Sequence, residues 1–214
     1  MPQPLDVPEL PGPVTASPDG AWSRDPATGV VTGEALPHSD LYVNPGGEGA
    51  GDAESLLNAA TLLATPPAGD FRLVARVAAE HRSLFDAGVL LLWDDETHWA
   101  KLCLERSPAG APMVVSVVTR GTSDDANAFV LDAAQVWLRI SRVDGVYAFH
   151  AAAIGAESAP DLTWQLVRVF SLGTDLAGHR VGLEVQSPTG DGCTVTFADV
   201  VVDEVRLADL RDGS

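Results

Sequence analysis

The feature that most constrains the fold is a series of strand-like segments, each separated from the next by a short turn. Apolar and polar residues alternate within them, which is typical of strands with one buried face, and helical periodicity is almost absent. The predicted strands are residues 71–78, 87–93, 99–105, 113–119, 136–142, 147–152, 163–170, 180–186 and 194–202. Strands at roughly ten-residue spacing predict an all-β protein, either an antiparallel sandwich or a barrel.

The two ends of the chain depart from this pattern. Residues 1–20 carry prolines at 2, 4, 8, 11, 13 and 18, which predict an extended arm that is disordered or lies on the surface. Residues 21–205 are predicted to form one β-sandwich domain, since 214 residues suffice for one sizeable core. Residues 206–214 form a C-terminal tail, of which 206–211 are compatible with one helical turn.

Two segments before the first long strand are ambiguous. Residues 46–51, Gly-Gly-Glu-Gly-Ala-Gly, resemble a phosphate-binding loop in glycine content, but the glutamate and the missing βαβ pattern favour a flexible loop. In residues 52–64 the leucines have helical spacing, which is compatible with a short helix capped by Asp52. Residues 61–64 are equally compatible with a strand.

Composition argues against several classes of partner. The formal charge of −17 disfavours nucleic acid and anionic membranes, because both require basic patches. The first twenty residues lack the basic start and apolar stretch of a secretory signal, and no apolar run is long enough to span a membrane, so we expect a cytoplasmic protein. Cys103 and Cys193 are then expected to be free thiols.

One lysine stands among twelve arginines, at Lys101. Its strand places Ala100, Leu102 and Leu104 on an apolar face and Trp99, Lys101, Cys103 and Glu105 on the opposite face. Arginine is a rigid fork, whereas lysine is a point charge whose pKa moves readily on burial, so the two are not interchangeable. The retained ammonium therefore indicates a functional site at Lys101, with chance as the alternative. For Cys103, a buried apolar role is favoured over catalysis.

Other strands also carry polar groups opposite their apolar face. The residues on that face are Trp137, Arg139 and Ser141; Ala148 and His150; and Glu184 and Gln186. If the strands are neighbours in one sheet, the spacing of about 4.8 Å between strands makes these side chains one compact patch. Aromatic rings mixed with both signs of charge favour a concave pocket over an ordinary solvated face, and they suit a sugar or another polar ring molecule.

Several chemistries remain open within that patch. Glu105 and Glu184 match the carboxylate pair of a glycosidase, although a structural charge network with Lys101 and Arg139 is favoured. His150 is a candidate general acid or base, or a satisfied polar residue. Calcium is conceivable at one set of acidic residues, for which turn formation is the favoured role: Asp94, Asp95, Glu96, Asp124 and Asp125. No zinc-ligand spacing and no Gly-x-Ser-x-Gly motif occur, so no cofactor is predicted.

The sequence resembles a known family at residues 84–92 (LFDAGVLLL), 99–105 (WAKLCLE), 117–125 (VVTRGTSDD), 136–139 (VWLR) and 163–168 (TWQLVR). It is similar to the uncharacterised bacterial and fungal "regulation of enolase" family among the concanavalin A-like lectin/glucanase folds, over roughly residues 20–205. The resemblance implies a two-sheet antiparallel jelly roll with one concave sheet and no established activity. The glucanase signature Glu-x-Asp-x-x-Glu is absent, which argues against glucanase chemistry.

Three functions follow as hypotheses. The first, which we favour, is binding of a carbohydrate or similar small polar molecule in the concave groove. The second is a sugar-processing lyase, epimerase or hydrolase that uses Lys101, Glu105 and His150 for proton transfer. The third is a regulatory domain that binds a protein partner through a flat apolar patch. The predicted ligand-binding residues are Asp86, Trp99, Thr119, Trp137, Arg139, Glu184 and Gln186.

Overall fold

Two antiparallel sheets of seven strands each, with a separate two-stranded hairpin, make up the described part of the chain in this computed structural model. The described residues are 5–47, 53–154 and 162–214. Sheet A comprises, in spatial order, β1 (Thr15–Ser17), β6 (Ala60–Ala64), β15 (Arg180–Gln186), β8 (Ala87–Asp95), β9 (His98–Arg106), β10 (Pro112–Arg120) and β11 (Thr122–Val130). Sheet B comprises β14 (Gln165–Phe170), β13 (Val146–Ala153), β12 (Gln135–Val143), β7 (Phe71–Glu80), β16 (Thr194–Asp203), β3 (Val31–Glu34) and β2 (Trp22–Arg24).

The hairpin consists of β4 (Leu41–Tyr42) and β5 (Leu56–Leu57), and short 3₁₀ turns occur at Asp19–Ala21 and Leu176–Gly178. The described residues include no helix long and apolar enough to cross a membrane. These elements confirm the predicted all-β, two-sheet antiparallel sandwich.

The apolar face predicted for each strand lies between the two sheets. Sheet A contributes Leu102 and Leu183, and sheet B contributes Leu138 and Phe149, all with no exposed surface. Because side chains alternate across a strand, the polar residues between these positions lie on the outer faces of the sandwich. Cys103 and Cys193 are free and buried, as expected.

The N-terminal segment differs from the predicted surface arm. Val7 and Leu10 are 3% and 2% exposed and join the main core, and β1 pairs with β6 at the edge of sheet A. Edge strands tolerate neighbouring prolines because one row of their backbone groups needs no partner. Residues 1–4 lie outside the described residues.

In three further segments the sequence left the secondary structure open or predicted it differently from the structure. Residues 56–57 and 60–64 are strands, and Leu62 and Ala64 point into the core with the period of a strand; Asp52 and residues 48–51 lie outside the described residues. Residues 122–130 form β11, where Asp124 and Asp125 had been interpreted as loop residues. The C-terminal tail has a turn at residues 210–213 and no helical turn at 206–211.

Candidate functional site

Lys101 lies on the outer face of sheet A and is almost completely buried. It is 2% exposed, and its Nζ donates to Asp40 Oδ1 at 2.6 Å and to Gln186 Oε1 at 2.8 Å. The ammonium also lies 5.7 Å from the centroid of the Trp99 ring. A compact ammonium with three donors suits this arrangement, which a planar guanidinium does not match.

The partners of Lys101 are themselves held in place. Asp40 directly precedes β4, and its backbone N–H donates to Asn58 Oδ1 at 3.1 Å, next to β5. Gln186 ends β15, and its Nε2 donates to the Phe85 carbonyl at 3.1 Å. The ammonium is therefore fixed between sheet A and the hairpin that covers part of it.

Opposing effects act on the pKa of Lys101. Burial lowers the pKa, but the charge of Asp40, joined by that of Glu184 when that group is ionised, outweighs burial, so the net pKa is raised and the ammonium stays charged. The buried ion pair of Lys101 and Asp40 is costly to break, because removing one partner leaves the charge of the other buried and unpaired.

Two buried glutamates share this face of the sheet. Burial raises the pKa of Glu184 to about 8 and that of Glu105 to about 8, in each case against the lowering effect of Lys101. Both carboxyl oxygens of Glu184 are buried without a hydrogen-bond partner. No hydrogen bond to the Glu105 carboxyl occurs within the described residues. Burial likewise raises the pKa of the Cys103 thiol, so this cysteine is not an activated nucleophile.

A cavity of about 440 Å³ opens beside Lys101 and Glu105. Asp40, Glu54 and Asp125 add carboxylates to its wall, and burial raises the pKa of Asp125. The remaining lining includes aromatic, amide, hydroxyl and imidazole groups, from Tyr42, Phe85, Gln186, Thr189 and His38. The cavity therefore combines ring faces with many acceptors and one buried ammonium.

The other residues predicted on sheet A have different surroundings. Asp86 accepts from the backbone N–H groups of Arg82 and Ser83, both at 2.8 Å, and from Ser187 Oγ at 2.6 Å, so it shapes the loop between β7 and β8. Thr119 shares a hydrogen bond of 2.9 Å with Ser123 Oγ. Trp99 is fully buried beneath Lys101. Glu184 lies on β15, which β8 separates from Glu105 on β9.

The structure does not bring Trp137, Arg139 and His150 to this cavity. They lie on β12 and β13 of sheet B, where Arg139 is the register partner of His150. The prediction of one compact patch was therefore wrong, because the two outer faces of a sandwich point in opposite directions. Alternation identifies the face of a strand on which a residue lies, but it does not identify the sheet.

The tail after β16 packs over these sheet B residues. Arg139 Nη2 donates to the Gly213 carbonyl at 2.9 Å, and His150 Nε2 is 2.9 Å from the Leu210 carbonyl. The guanidinium carbon of Arg139 lies 4.3 Å from the centroid of the Trp164 ring. Burial, followed by the charge of Arg139, lowers the pKa of His150 to about 4, so the imidazole is neutral and donates from Nε2.

The acidic residues considered for calcium are dispersed. Asp95 Oδ1 accepts from the backbone N–H and the hydroxyl of Thr97, both at 2.7 Å, which is a turn-forming role. Asp125 lines the cavity, and Asp124 pairs with Arg168 at 3.4 Å. Across residues 5–47, 53–154 and 162–214, no three His, Cys, Asp or Glu side chains are grouped so as to hold a metal ion.

Sequence reasoning missed Asp40, Tyr42 and Phe85. A buried lysine requires a carboxylate partner, but this acidic chain offers many, and no spacing selects one that is 61 positions away. The sequence identified Asp125 only as a turn-forming residue or a possible calcium ligand, and not as part of this cavity.

The fold and the site define a class of protein: a two-sheet antiparallel β-sandwich with a polar cavity on one outer face. Within that class the chain belongs to the family described as "Protein of unknown function (DUF1349)", whose profile matches residues 17–205. This result confirms the resemblance found in the sequence.

One relative and two solved structures extend the comparison. "Regulation of enolase protein 1" of Saccharomyces cerevisiae is 32% identical over 130 residues, which are 60% of this chain and 62% of the yeast protein. A solved structure of a functionally unknown protein from the same yeast aligns with a TM-score of 0.67 at 26% identity, over 87% of this chain and 96% of that chain. The carbohydrate binding module CBM66 of Bacillus subtilis shares the fold, with a TM-score of 0.51 at 12% identity over 89% and 94% of the two chains.

Proposed function

We propose that the cavity beside Lys101 binds a small, uncharged, polyhydroxylated molecule such as a carbohydrate. The observation that carries this proposal is the buried ammonium, fixed by Asp40 and Gln186, that lines a cavity of about 440 Å³. This volume lies within the range of about 300–1,000 Å³ that is usual for small-molecule sites.

The lining supports the choice of ligand. The rings of Tyr42 and Phe85 offer apolar faces for the C–H surface of a sugar, and the carboxylates accept hydrogen bonds from hydroxyl groups. The carboxylates of Asp40, Glu54 and Asp125 outnumber the ammonium, so an anionic sugar is disfavoured by like-charge repulsion. The carbohydrate binding module that shares the fold is consistent with this proposal.

A thermal-shift screen against neutral sugars, sugar acids and sugar phosphates tests the proposal, because a ligand that binds the native state raises its melting temperature. We expect shifts with neutral sugars, which Lys101→Met and the isosteric Glu105→Gln reduce. Arg120→Met, whose guanidinium bonds the Ser171 carbonyl outside the cavity, serves as the control. A shift of equal size in Glu105→Gln and wild type would exclude this cavity as the site. No shift with any compound would favour the protein-partner hypothesis.

One observation favours a second function, proton transfer to or from a bound sugar. Glu105 is 8% exposed, lines the cavity, and has a pKa raised to about 8 by burial, which is near the optimum for a general acid or base at neutral pH. His150, included in that mechanism from the sequence, lies on sheet B and takes no part in this version of it. Exchange of deuterium from solvent into oxidised sugars, followed by NMR, tests it. Exchange that is no faster with wild type than with Glu105→Gln would eliminate this role.

A further inference from the structure

A second cavity, also of about 440 Å³, lies on the outer face of sheet B. Its lining includes three arginines, Arg72, Arg139 and Arg206, together with Trp164 and the tail residues Gly213 and Ser214. In a chain with a formal charge of −17, a cavity lined by three arginines contrasts with the average surface.

Two of these arginines are already neutralised. Arg72 makes a two-pronged pair with Asp203, with N–O distances of 2.9 and 2.7 Å. Arg206 pairs with Asp144 at 2.6 Å and also with Asp70. These pairs leave Arg139 as the arginine of this lining without a carboxylate partner among the described residues.

Arg139 is 1% exposed, and its Nε is buried without a hydrogen-bond partner. The guanidinium donates one hydrogen bond, from Nη2 to the Gly213 carbonyl, and stacks on Trp164. A buried charge without a counter-ion is costly, and burial accordingly lowers the pKa of Arg139 to about 10, although at neutral pH the group remains charged.

No carboxylate among the described residues forms an ion pair with Arg139, although two titratable groups lie near it. His150, opposite Arg139 in register, is neutral, and its Nε2–H donates a hydrogen bond to the Leu210 carbonyl. Asp212 lines the same cavity as an ionised carboxylate whose Oδ1 accepts from the backbone N–H of Ser214 at 2.9 Å, and it makes no ion pair with Arg139. The guanidinium of Arg139 is thus a desolvated, planar hydrogen-bond donor that stacks on Trp164 and lines a cavity large enough for a small molecule.

We propose that this cavity binds an oxyanion, the carboxylate or phosphate group of a small metabolite, through the guanidinium of Arg139. The planar fork of arginine matches two oxygens of either group, and a ring stacked on the guanidinium keeps that fork in place. This proposal is independent of the carbohydrate site proposed above, which lies on the other sheet.

Calorimetric titration of the full chain with inorganic phosphate and, separately, with malonate tests the proposal at a constant ionic strength set with chloride. The two probes distinguish a phosphate site from a carboxylate site. We expect one of them to bind wild type, with a dissociation constant at least tenfold weaker in Arg139→Met and unchanged in the control Arg120→Met. Arg139→Lys keeps the charge without the fork, and we expect intermediate binding; it also preserves the test if the methionine variant does not fold.

If Arg139 has only a structural role, its substitution should not change the binding of either probe. If neither probe binds wild type, or if the probe binds Arg139→Met or Arg139→Lys as tightly as wild type, the oxyanion proposal is overturned. Unequal loss in the two variants, with Arg120→Met unaffected, supports it.

Discussion

The two outer faces of the sandwich each bury a cation, but they stabilise it in different ways. On sheet A, Lys101 has a carboxylate at 2.6 Å and an amide oxygen at 2.8 Å. On sheet B, Arg139 has a stacked ring and one backbone carbonyl. An ammonium is satisfied by converging acceptors, whereas a guanidinium tolerates an aromatic face, so the choice of cation follows from the surroundings.

The largest expected difference between the two faces is in the free energy of unfolding that is lost when the buried cation is removed. Lys101→Met strands Asp40 and should lower the free energy of unfolding by about 3–5 kcal/mol, as for other buried pairs that lose one partner. Arg139→Met removes the hydrogen bond to the Gly213 carbonyl and the contact with Trp164 but leaves no ion-paired carboxylate without its partner among the described residues, so its cost should be smaller, at about 1–2 kcal/mol. Urea denaturation at pH 7 measures both. Equal losses would show that the two cations are stabilised alike.

The pH dependence of stability is the next largest effect, and it belongs to sheet A. The pKa of Glu184 is about 8 in the folded protein against an ordinary 4.5, so the folded state holds this proton more tightly. Its contribution to stability is fully present below pH 4.5 and is lost as the pH rises through about 8. Glu184→Gln should therefore weaken the fall in stability over this range, by up to roughly 1.4 kcal/mol per pH unit.

Urea denaturation at pH 5, 6, 7 and 8 provides the measurement. The exposed Glu204→Gln is the matched control and should leave the slope unchanged. An identical slope in Glu184→Gln and wild type would mean that Glu184 is ionised throughout this range.

The smallest expected effect is on the packing of the C-terminal tail against sheet B. Gly213 has a φ of +80°, and an added Cβ would lie 2.5 Å from Arg139 Nη2 and 3.2 Å from the Trp164 Cβ. Gly213→Ala should cost about 1 kcal/mol more than the matched Gly173→Ala, whose φ is +81° with no atom within 4 Å of the added Cβ. Thermal unfolding of both variants checks this. Equal costs would show that the tail adjusts freely.

Local pattern was sufficient to predict most of the sandwich. The nine predicted strands all form, because inward residues such as Leu102 and Leu138 repeat with period two. Strand β11 escaped notice because its Ser-Asp-Asp-Ala-Asn-Ala sequence has low strand propensity, and its place at the sheet edge leaves much of it exposed.

The candidate site was only partly predictable. Lys101, Glu105 and Gln186 were identified and line one cavity, because their alternation and unusual composition are local signals. Arg139 and His150 were grouped with them since strand order depends on pairings between distant parts of the chain, which periodicity does not encode. Asp40 reaches Lys101 by the same kind of long-range contact.

The hairpin that supplies Asp40 has a consequence for motion. Strands β4 and β5 pair through only two positions each, Leu41 with Leu57 and Tyr42 with Leu56, whereas β9 and β10 pair along nine. Short pairings open in local fluctuations that leave long ones intact. Backbone amides of the hairpin should therefore exchange with deuterated solvent well before those of β9. A molecule bound between the hairpin and sheet A would slow that exchange. The exchange rate of the hairpin amides would therefore show whether the cavity is occupied.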